Sequence, residues 1–474
     1  MGHAGAAHPI YDAIIVGSGV SGSYVAYELC KKGLNCLLLE AGQNLNKHTY
    51  PRTEMDGNAN LYWSGGIEFN KNASIGFLRP KVVGGGSIVN QALLDRFDDI
   101  ALDSWREKSS INFLNRTELD PFYDLAEAEL AIEEIPEKYR NGNANIFKEG
   151  FDKNEYKWAP LKRAQKDCKY DRGNDCIECL NGCRLDSKQS MPVTVLKKAL
   201  SGELPGKLTI VSDFEVGTVS HGTSDKKIVG FYKNGDVETF KAKIVVLGAG
   251  SMGNTKILTQ SDFGKKLKSI GHHFYTHPQY MVLARYDKKI NAHKGPLQSL
   301  KSDDLNFRQN GFKLENVFAG PVAISMLLPQ WGDNHSKIMN DITKLACIEV
   351  AVRDTNPGKI SINRSGKIIV DKVLNGEDKL RRSKGLKAIE NIFNSTGAVE
   401  IIEGQLPIGL HLMGGCGIGT DGKSSVFNPE FELHDQKGIY AADSSIFPNA
   451  PGINPSLTIM ALSIKCAEQI TASM

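Results

Sequence analysis

The stretch Asp12-Ala13-Ile14-Ile15-Val16-Gly17-Ser18-Gly19-Val20-Ser21-Gly22 decides the fold class. Its first five residues are a short apolar run with β-branched members, the pattern of a buried strand. Val20 to Lys32 then reads as a helix with Val25, Ala26 and Leu29 on one face, and Gly33 stands where a C-terminal cap is expected. Asn35 to Glu40 reads as a second buried strand. Strand, helix and strand within roughly 30 residues make a βαβ unit, which favours a parallel sheet. In the connecting loop, Gly17 permits the tight turn, Gly19 lets a pyrophosphate approach the backbone, and Gly22 lets helix pack on strand. Phosphates would sit at the helix N-terminus, where N–H groups and the helix dipole favour anions. Glu40 ends the second strand 18 residues after Gly22, where an acid accepts hydrogen bonds from ribose hydroxyls. The unit is expected to bind a dinucleotide, and by itself it does not choose between FAD and NAD.

Working outward, Leu208–Val211, Lys227–Tyr232 and Lys243–Leu247 read as strands. The last of them runs into Gly248-Ala249-Gly250, small residues suited to a strand that passes close to a cofactor. Ser104 to Tyr139 reads as helical and charged, 140–190 as polar and irregular, and 286–400 as alternating strands and helices without a chemical signature. The C-terminal part reads as Gly-rich loops ending in a helix from Pro455, with Asn454 as its N-cap. A chain of 474 residues is long for one simple core and predicts two interleaved domains. The net charge of +3, with Lys and Arg scattered, gives no electrostatic case for nucleic acid. No stretch approaches the roughly 20 continuous apolar residues of a membrane helix. Residues 1–8 lack the basic and apolar regions of a signal peptide, so a cytoplasmic location is expected.

Three further segments carry a resemblance. Arg79-Pro-Lys-Val-Val-Gly84-Gly85-Gly86-Ser87-Ile-Val-Asn90 resembles the flavin-contacting loop and helix of the glucose–methanol–choline (GMC) oxidoreductases. Gly409-Leu-His411-Leu-Met-Gly414-Gly415-Cys416 resembles their catalytic histidine loop. Tyr440-Ala-Ala-Asp443 together with Pro451-Gly-Ile-Asn454-Pro455 resembles their closing segment. The resemblance implies a Rossmann-like α/β FAD-binding domain interleaved with a smaller α+β substrate-binding domain. Residues 1–105, 190–285 and 405–474 would form the first, and 106–189 and 286–404 the second. It implies non-covalent FAD held by Gly17, Gly19, Gly22, Glu40, Gly85, Gly86, Ser87, Asn90, Val216, Gly248, Asp443 and Pro455. Gly84 to Ser87 can wrap a pyrophosphate with backbone N–H groups, as a nest does for any anion.

Oxidising an alcohol requires removal of the hydroxyl proton and transfer of a hydride to flavin N5. A histidine suits the first task, and His411 in its Gly-rich loop is the expected base. The resemblance pairs it with Asn454, which orients the substrate oxygen but cannot act as a base. A His–Asn pair resembles the sterol-oxidase and sugar-dehydrogenase branches. Cys416 is read as a packed small residue, and His272, His273 and His277 as structural or supporting. The expected substrate is a sugar, polyol, aminosugar or sterol-like alcohol, with a protein, quinone or dioxygen as electron acceptor. Two other readings stay open: a non-redox lyase of the same fold, and a flavin electron-transfer subunit without a small substrate.

Of the nine cysteines, Cys168, Cys176, Cys179 and Cys183 cluster in one polar segment. The spacing resembles a segment of some GMC dehydrogenases in which such cysteines hold an iron–sulfur cluster. Thiolates at this density are natural iron or zinc ligands, and disulfides or unpaired thiols are equally open.

Overall fold

Ile10–Val16 lies inside a seven-stranded sheet. Edge to edge, its strands are Leu208–Val211, Cys36–Leu39, Ile10–Val16, Val237–Leu247, Lys226–Tyr232 and Phe214–Val219, with Ile439–Ala441 also paired to Val237–Leu247. The first four and Ile439–Ala441 run parallel, and Lys226–Tyr232 pairs antiparallel with both Val237–Leu247 and Phe214–Val219. The structure, a computed structural model, describes residues 8–169, 177–220 and 225–474. Ala13 to Val16 and Cys36 to Leu39 are buried throughout, as expected of parallel strands covered on both faces.

The crossover helix Val20–Lys31 packs against the C-terminal helix Ser456–Ala472, and Ser463 Oγ donates to Ser21 Oγ at 2.9 Å. Gly33 ends the crossover helix in the left-handed conformation, φ +89°, while the Leu34 N–H reaches back to the Leu29 carbonyl at 3.1 Å. The fit is very tight at Gly22, where a Cβ would stand 1.9 Å from the Gly17 carbonyl oxygen. No side chain is tolerated at that approach of helix to loop.

A second sheet of nine strands is mostly antiparallel. Its order is Tyr62–Phe69, Gly76–Pro80, Ile408–Gly414, Phe274–Arg285, Leu345–Val352, Phe312–Asn316, Leu300–Ser302 and Trp158–Pro160, with Glu400–Glu403 also on Phe274–Arg285. Helix Gly376–Ser395 packs against it, capped by Asn375 and Asp378, with Ile389, Ile392 and Phe393 in the core. The interleaving is finer than the sequence boundaries suggest. Tyr62–Phe69, Gly76–Pro80, Phe274–Arg285 and Ile408–Gly414 all belong to this second sheet.

Two local expectations are corrected. Residues 104–139 hold helices Asp99–Ser109 and Arg116–Ala128 followed by the strand Ile132–Glu134, because Ser110 turns left-handed and Asn115 caps a new helix. The segment 140–190 contains the regular helix Gly142–Lys153, capped by Asn141. Among the described residues no helix is long and apolar enough to cross a membrane.

Replacing Gly22 by Ala is expected to destabilise the protein by at least about 2 kcal/mol, because the new methyl has no room. Gly19 has an ordinary φ of −62° and no neighbour within 4 Å of a built Cβ. Gly19→Ala should therefore leave stability unchanged to within about 0.5 kcal/mol in urea titrations of the two variants.

Candidate active site

Two glycine loops meet at the C-terminal end of the parallel strands. Gly85 adopts φ +51°, and a Cβ on it would lie 2.7 Å from the Gly19 Cα. The Gly84 N–H donates to Ser18 Oγ at 3.0 Å, tying the loops together. Gly248 comes in from the neighbouring strand, its N–H donating to the Val16 carbonyl at 2.7 Å. Gly19 and Gly86 differ from these. Neither needs a positive φ, and neither would meet a protein atom within 4 Å if it carried a Cβ. The chain's own contacts do not demand glycine at either place. The missing side chains leave open space beside the backbone, which fits the close approach of a bound pyrophosphate.

Glu40 is buried against the same loop. One of its oxygens accepts from the Ser18 N–H at 2.9 Å and Ser18 Oγ at 2.7 Å, and the other from the Gly42 N–H at 2.8 Å. Burial pushes its carboxyl up, and these donors oppose the shift. Phe214 N–H donates to the Glu40 carbonyl at 2.9 Å, which brings the strand bearing Val216 beside this corner. Several side chains expected at the cofactor also bond within the protein. Ser87 Oγ donates to the Gly84 carbonyl at 2.6 Å and accepts from the Met191 N–H at 3.1 Å. Asn90 Oδ1 accepts from the Ala92 N–H at 3.0 Å. Asp443 accepts from the N–H groups of Gly250 and Ser445 at 2.7 and 2.9 Å, and from the Asn254 amide. It therefore clamps the loop after Val237–Leu247 to the closing segment.

His411 sits on the strand Ile408–Gly414, which corrects the reading of a Gly-rich loop. The pairing with Phe274–Arg285 passes from Thr276↔Leu412 to Pro278↔Gly409, so Leu410 and His411 together oppose His277. That bulge re-aims the His411 imidazole toward the neighbouring strand, where its Nδ1 lies 2.9 Å from His277 Nδ1 with the rings edge to face. His277 Nε2 accepts the Gly452 N–H at 2.8 Å.

Gly452 belongs to the closing segment, which is irregular and held from several sides. Arg308 donates to the carbonyls of Pro451 and Gly452 at 2.6 and 3.4 Å, and grips Asp98 with both arms of its guanidinium. Arg353 Nε donates to the Ala450 carbonyl at 3.0 Å, and Trp105 Nε1 to that of Asn449 at 3.0 Å. Two residues past Gly452, the Asn454 side chain does not cap the last helix, as the sequence suggested. Pro455 is the N-cap, and Asn454 Nδ2 donates instead to Asp95 Oδ2 at 3.3 Å and Glu315 Oε1 at 3.2 Å.

Those carboxylates belong to a buried charge cluster that sequence reasoning missed. Lys313 pairs with Asp95 at 2.9 Å and with Glu315, and Lys301 pairs with Asp95. Glu349 lies directly across the sheet from Glu315. Burial and the neighbouring Glu315 push the Glu349 carboxyl well up. Burial alone would raise Asp95, but Lys313 and Lys301 more than offset it and hold its carboxyl low. His411 is pushed down to about 4 by burial and by the Lys313 cation, so its ring is neutral at pH 7. His277 is held well below the usual imidazole range by burial, His411 and the cations Arg308, Lys313 and Arg353. The sequence signal was the alternation Phe312-Lys313-Leu314-Glu315, which reads as a half-exposed strand until its charged face is found covered.

His272 and His273 line an open cleft with Lys359 and Asp371, away from His277, which turns inward. Cys416 is fully buried beside Thr255, as a packed residue should be. Cys168, Cys179 and Cys183 are half-buried and form no disulfide among the described residues. Among those residues no three His, Cys, Asp or Glu side chains gather as a metal site, and Cys176 lies outside them. The iron–sulfur expectation gains no support here.

Comparison with known proteins agrees with this arrangement. The N-terminal and C-terminal GMC oxidoreductase family models match residues 11–279 and 364–463. An uncharacterised GMC-type oxidoreductase of Mycobacterium tuberculosis is 26% identical, covering 98% of this chain and 76% of its own length. A long-chain-alcohol oxidase of Arabidopsis thaliana is 24% identical, covering 98% and 67%. The crystal structure of pyridoxine 4-oxidase from Mesorbium loti superposes with a TM-score of 0.72 at 15% identity, covering 98% of this chain and 99% of that one.

The charge cluster makes a pH-dependent prediction. Asp95 has a folded pKa below its unfolded value of about 3.9, so its stabilisation is present above that pH and is lost as pH falls toward the folded value. Asp95→Asn should cost about 3 kcal/mol at pH 7, since Lys301 and Lys313 lose their shared partner. In urea titrations the gap between parent and variant should narrow once the pH drops below about 4.

Proposed function

The chain belongs to the GMC oxidoreductase family, and we propose that it uses non-covalent FAD to oxidise a CH–OH group of a small alcohol to a carbonyl. The observation that carries this reading is the His411 imidazole set against His277, which is joined through Gly452 to the loop that presents Asn454. Bound FAD supplies the two-electron acceptor that takes the substrate hydride. Gly17, Gly19, Gly22, Gly85, Gly86 and Gly248 would hold its phosphates, with Glu40 at the ribose, and the open space beside Gly19 and Gly86 supports that fit. His411 and Asn454 would hold the reacting oxygen, with His411 as the group that takes the hydroxyl proton. A neutral imidazole has one lone pair for that task, and the depressed pKa keeps it available across the neutral range.

Asp95, Lys301, Lys313 and Glu315 form a polar wall beside Asn454. Asp95, Lys313 and Glu315 are buried, and the four groups pair with one another, so they fix Asn454. The class of the alcohol, whether sugar, polyol, aminosugar or sterol-like, is to be read from turnover. The named oxidases among the relatives make dioxygen the acceptor to try first, with hydrogen peroxide as the product to detect.

Turnover by the flavin-loaded protein tests the reading. His411→Ala should lower kcat by about 10²- to 10⁴-fold while retaining flavin absorbance, since the residue acts on substrate rather than on the cofactor. The parent's rate should be flat through the neutral range and fall as the pH drops toward about 4, where His411 takes up a proton. An alanine variant as active as the parent would remove His411 from the chemistry.

A further inference from the structure

The hydrogen bonds around His277 fix where the protons of the imidazole pair reside. A backbone N–H can only donate, so His277 Nε2, 2.8 Å from the Gly452 nitrogen, is bare and accepts. A neutral imidazole with a bare Nε2 carries its proton on Nδ1. That Nδ1–H faces His411 Nδ1 at 2.9 Å, which must then be the bare nitrogen of His411. His411 is neutral, so its remaining proton is on Nε2, the nitrogen turned away from His277. The reverse arrangement would set an N–H of His277 against the N–H of Gly452. Gly452 is not free to back away, because Arg308 holds the carbonyls of Pro451 and Gly452, and Arg353 that of Ala450. Asn454 is polarised in the complementary sense. Its Nδ2 is committed to Asp95 and Glu315, which leaves Oδ1 as the atom it can offer elsewhere.

We propose that His277 is a positioning residue that keeps the outward Nε2 of His411 protonated, so that the substrate oxygen accepts from His411 and donates its own proton to Asn454 Oδ1. This rests on the alcohol-oxidising reading above and adds a direction to it. The alcohol first binds His411 as an acceptor. His411 becomes a base only in the minority tautomer with the proton on Nδ1, and His277 with Gly452 sets how rare that form is. The charged groups facing the pair are Arg308, paired with Asp98, Lys313, paired with Asp95 and Glu315, and Arg353. All three cations disfavour a second proton on His277 and Lys313 does the same on His411, which supports a neutral pair. Burial adds to this for both rings.

The test reads the tautomer directly and does not need turnover. Protein labelled with ¹⁵N-histidine, assigned by comparison with His411→Asn, is examined at neutral pH by long-range ¹H–¹⁵N correlation. His411 is expected to show hydrogen on Nε2 and a bare Nδ1. A His411 with hydrogen on Nδ1, or on both nitrogens, overturns the proposal. His277→Gln can accept from Gly452 through its oxygen and donate to His411 through its amide, so it should preserve that tautomer. His277→Glu can only accept when ionised, so it should move the His411 proton to Nδ1 and shift the acid limb of the pH–rate profile above about 4. If Gln and Glu at this position give the same His411 tautomer, His277 does not set it. Failure to oxidise any alcohol would sink the functional reading and leave the tautomer result standing.

Discussion

The segment from Asn449 to Asn454 is irregular backbone with much of its length buried, and buried backbone groups must find partners. The protein meets that requirement with side chains brought from elsewhere. Trp105, Arg308 and Arg353 take its carbonyls, and His277 takes the Gly452 N–H. The position of this loop sets what His277 and Asn454 bond to. It sets the proton of the imidazole pair at one end and aims Asn454 into the carboxylates at the other. Arg308 is bound to Asp98 at the N-terminus of helix Asp99–Ser109, so the loop is anchored to a helix whose side chains Ala101, Leu102 and Trp105 lie in the first core. Site geometry is thereby tied to global packing.

The charges near Asn454 follow a consistent logic. Lys301 and Lys313 pair with Asp95 and Glu315, and such pairing is the condition for keeping ionisable groups out of water. A cluster of this kind contributes little to stability over an apolar core of equal volume. Its retention is explained by what it does for orientation. Asn454 cannot rotate its amide without setting an oxygen against two carboxylates. The cost of burying charge is offset within the cluster, and the benefit appears at the one side chain that leaves it.

The first sheet was legible because its signals are local. Ala13 to Val16, the three glycines, Gly33 and Glu40 lie within one βαβ unit, and each has a single physical reason to be there. The catalytic candidates were legible only through resemblance, since nothing about His411 in isolation distinguishes it from other histidines. Its context was misread, because Gly409, Gly414 and Gly415 suggest a loop, while cross-strand pairing with Thr276 and Pro278 makes the segment a strand. Asn454-Pro455 misled in the same way. The dipeptide is a common N-cap signal, but two distant carboxylates outbid the local capping bond. Lys313, Glu315 and Glu349 were hidden because alternating polarity marks a face and does not say whether water or another layer covers it.

The central claim is that an alcohol delivers two electrons to a flavin held between the two glycine loops. The most direct measurement is the absorbance spectrum of the purified protein without oxygen, before and after adding hydroxylated compounds of the sugar and polyol classes. The account predicts flavin bands that bleach with such an alcohol in the parent and bleach far more slowly in His411→Ala. A protein without flavin, or flavin bands that no alcohol bleaches, would contradict it.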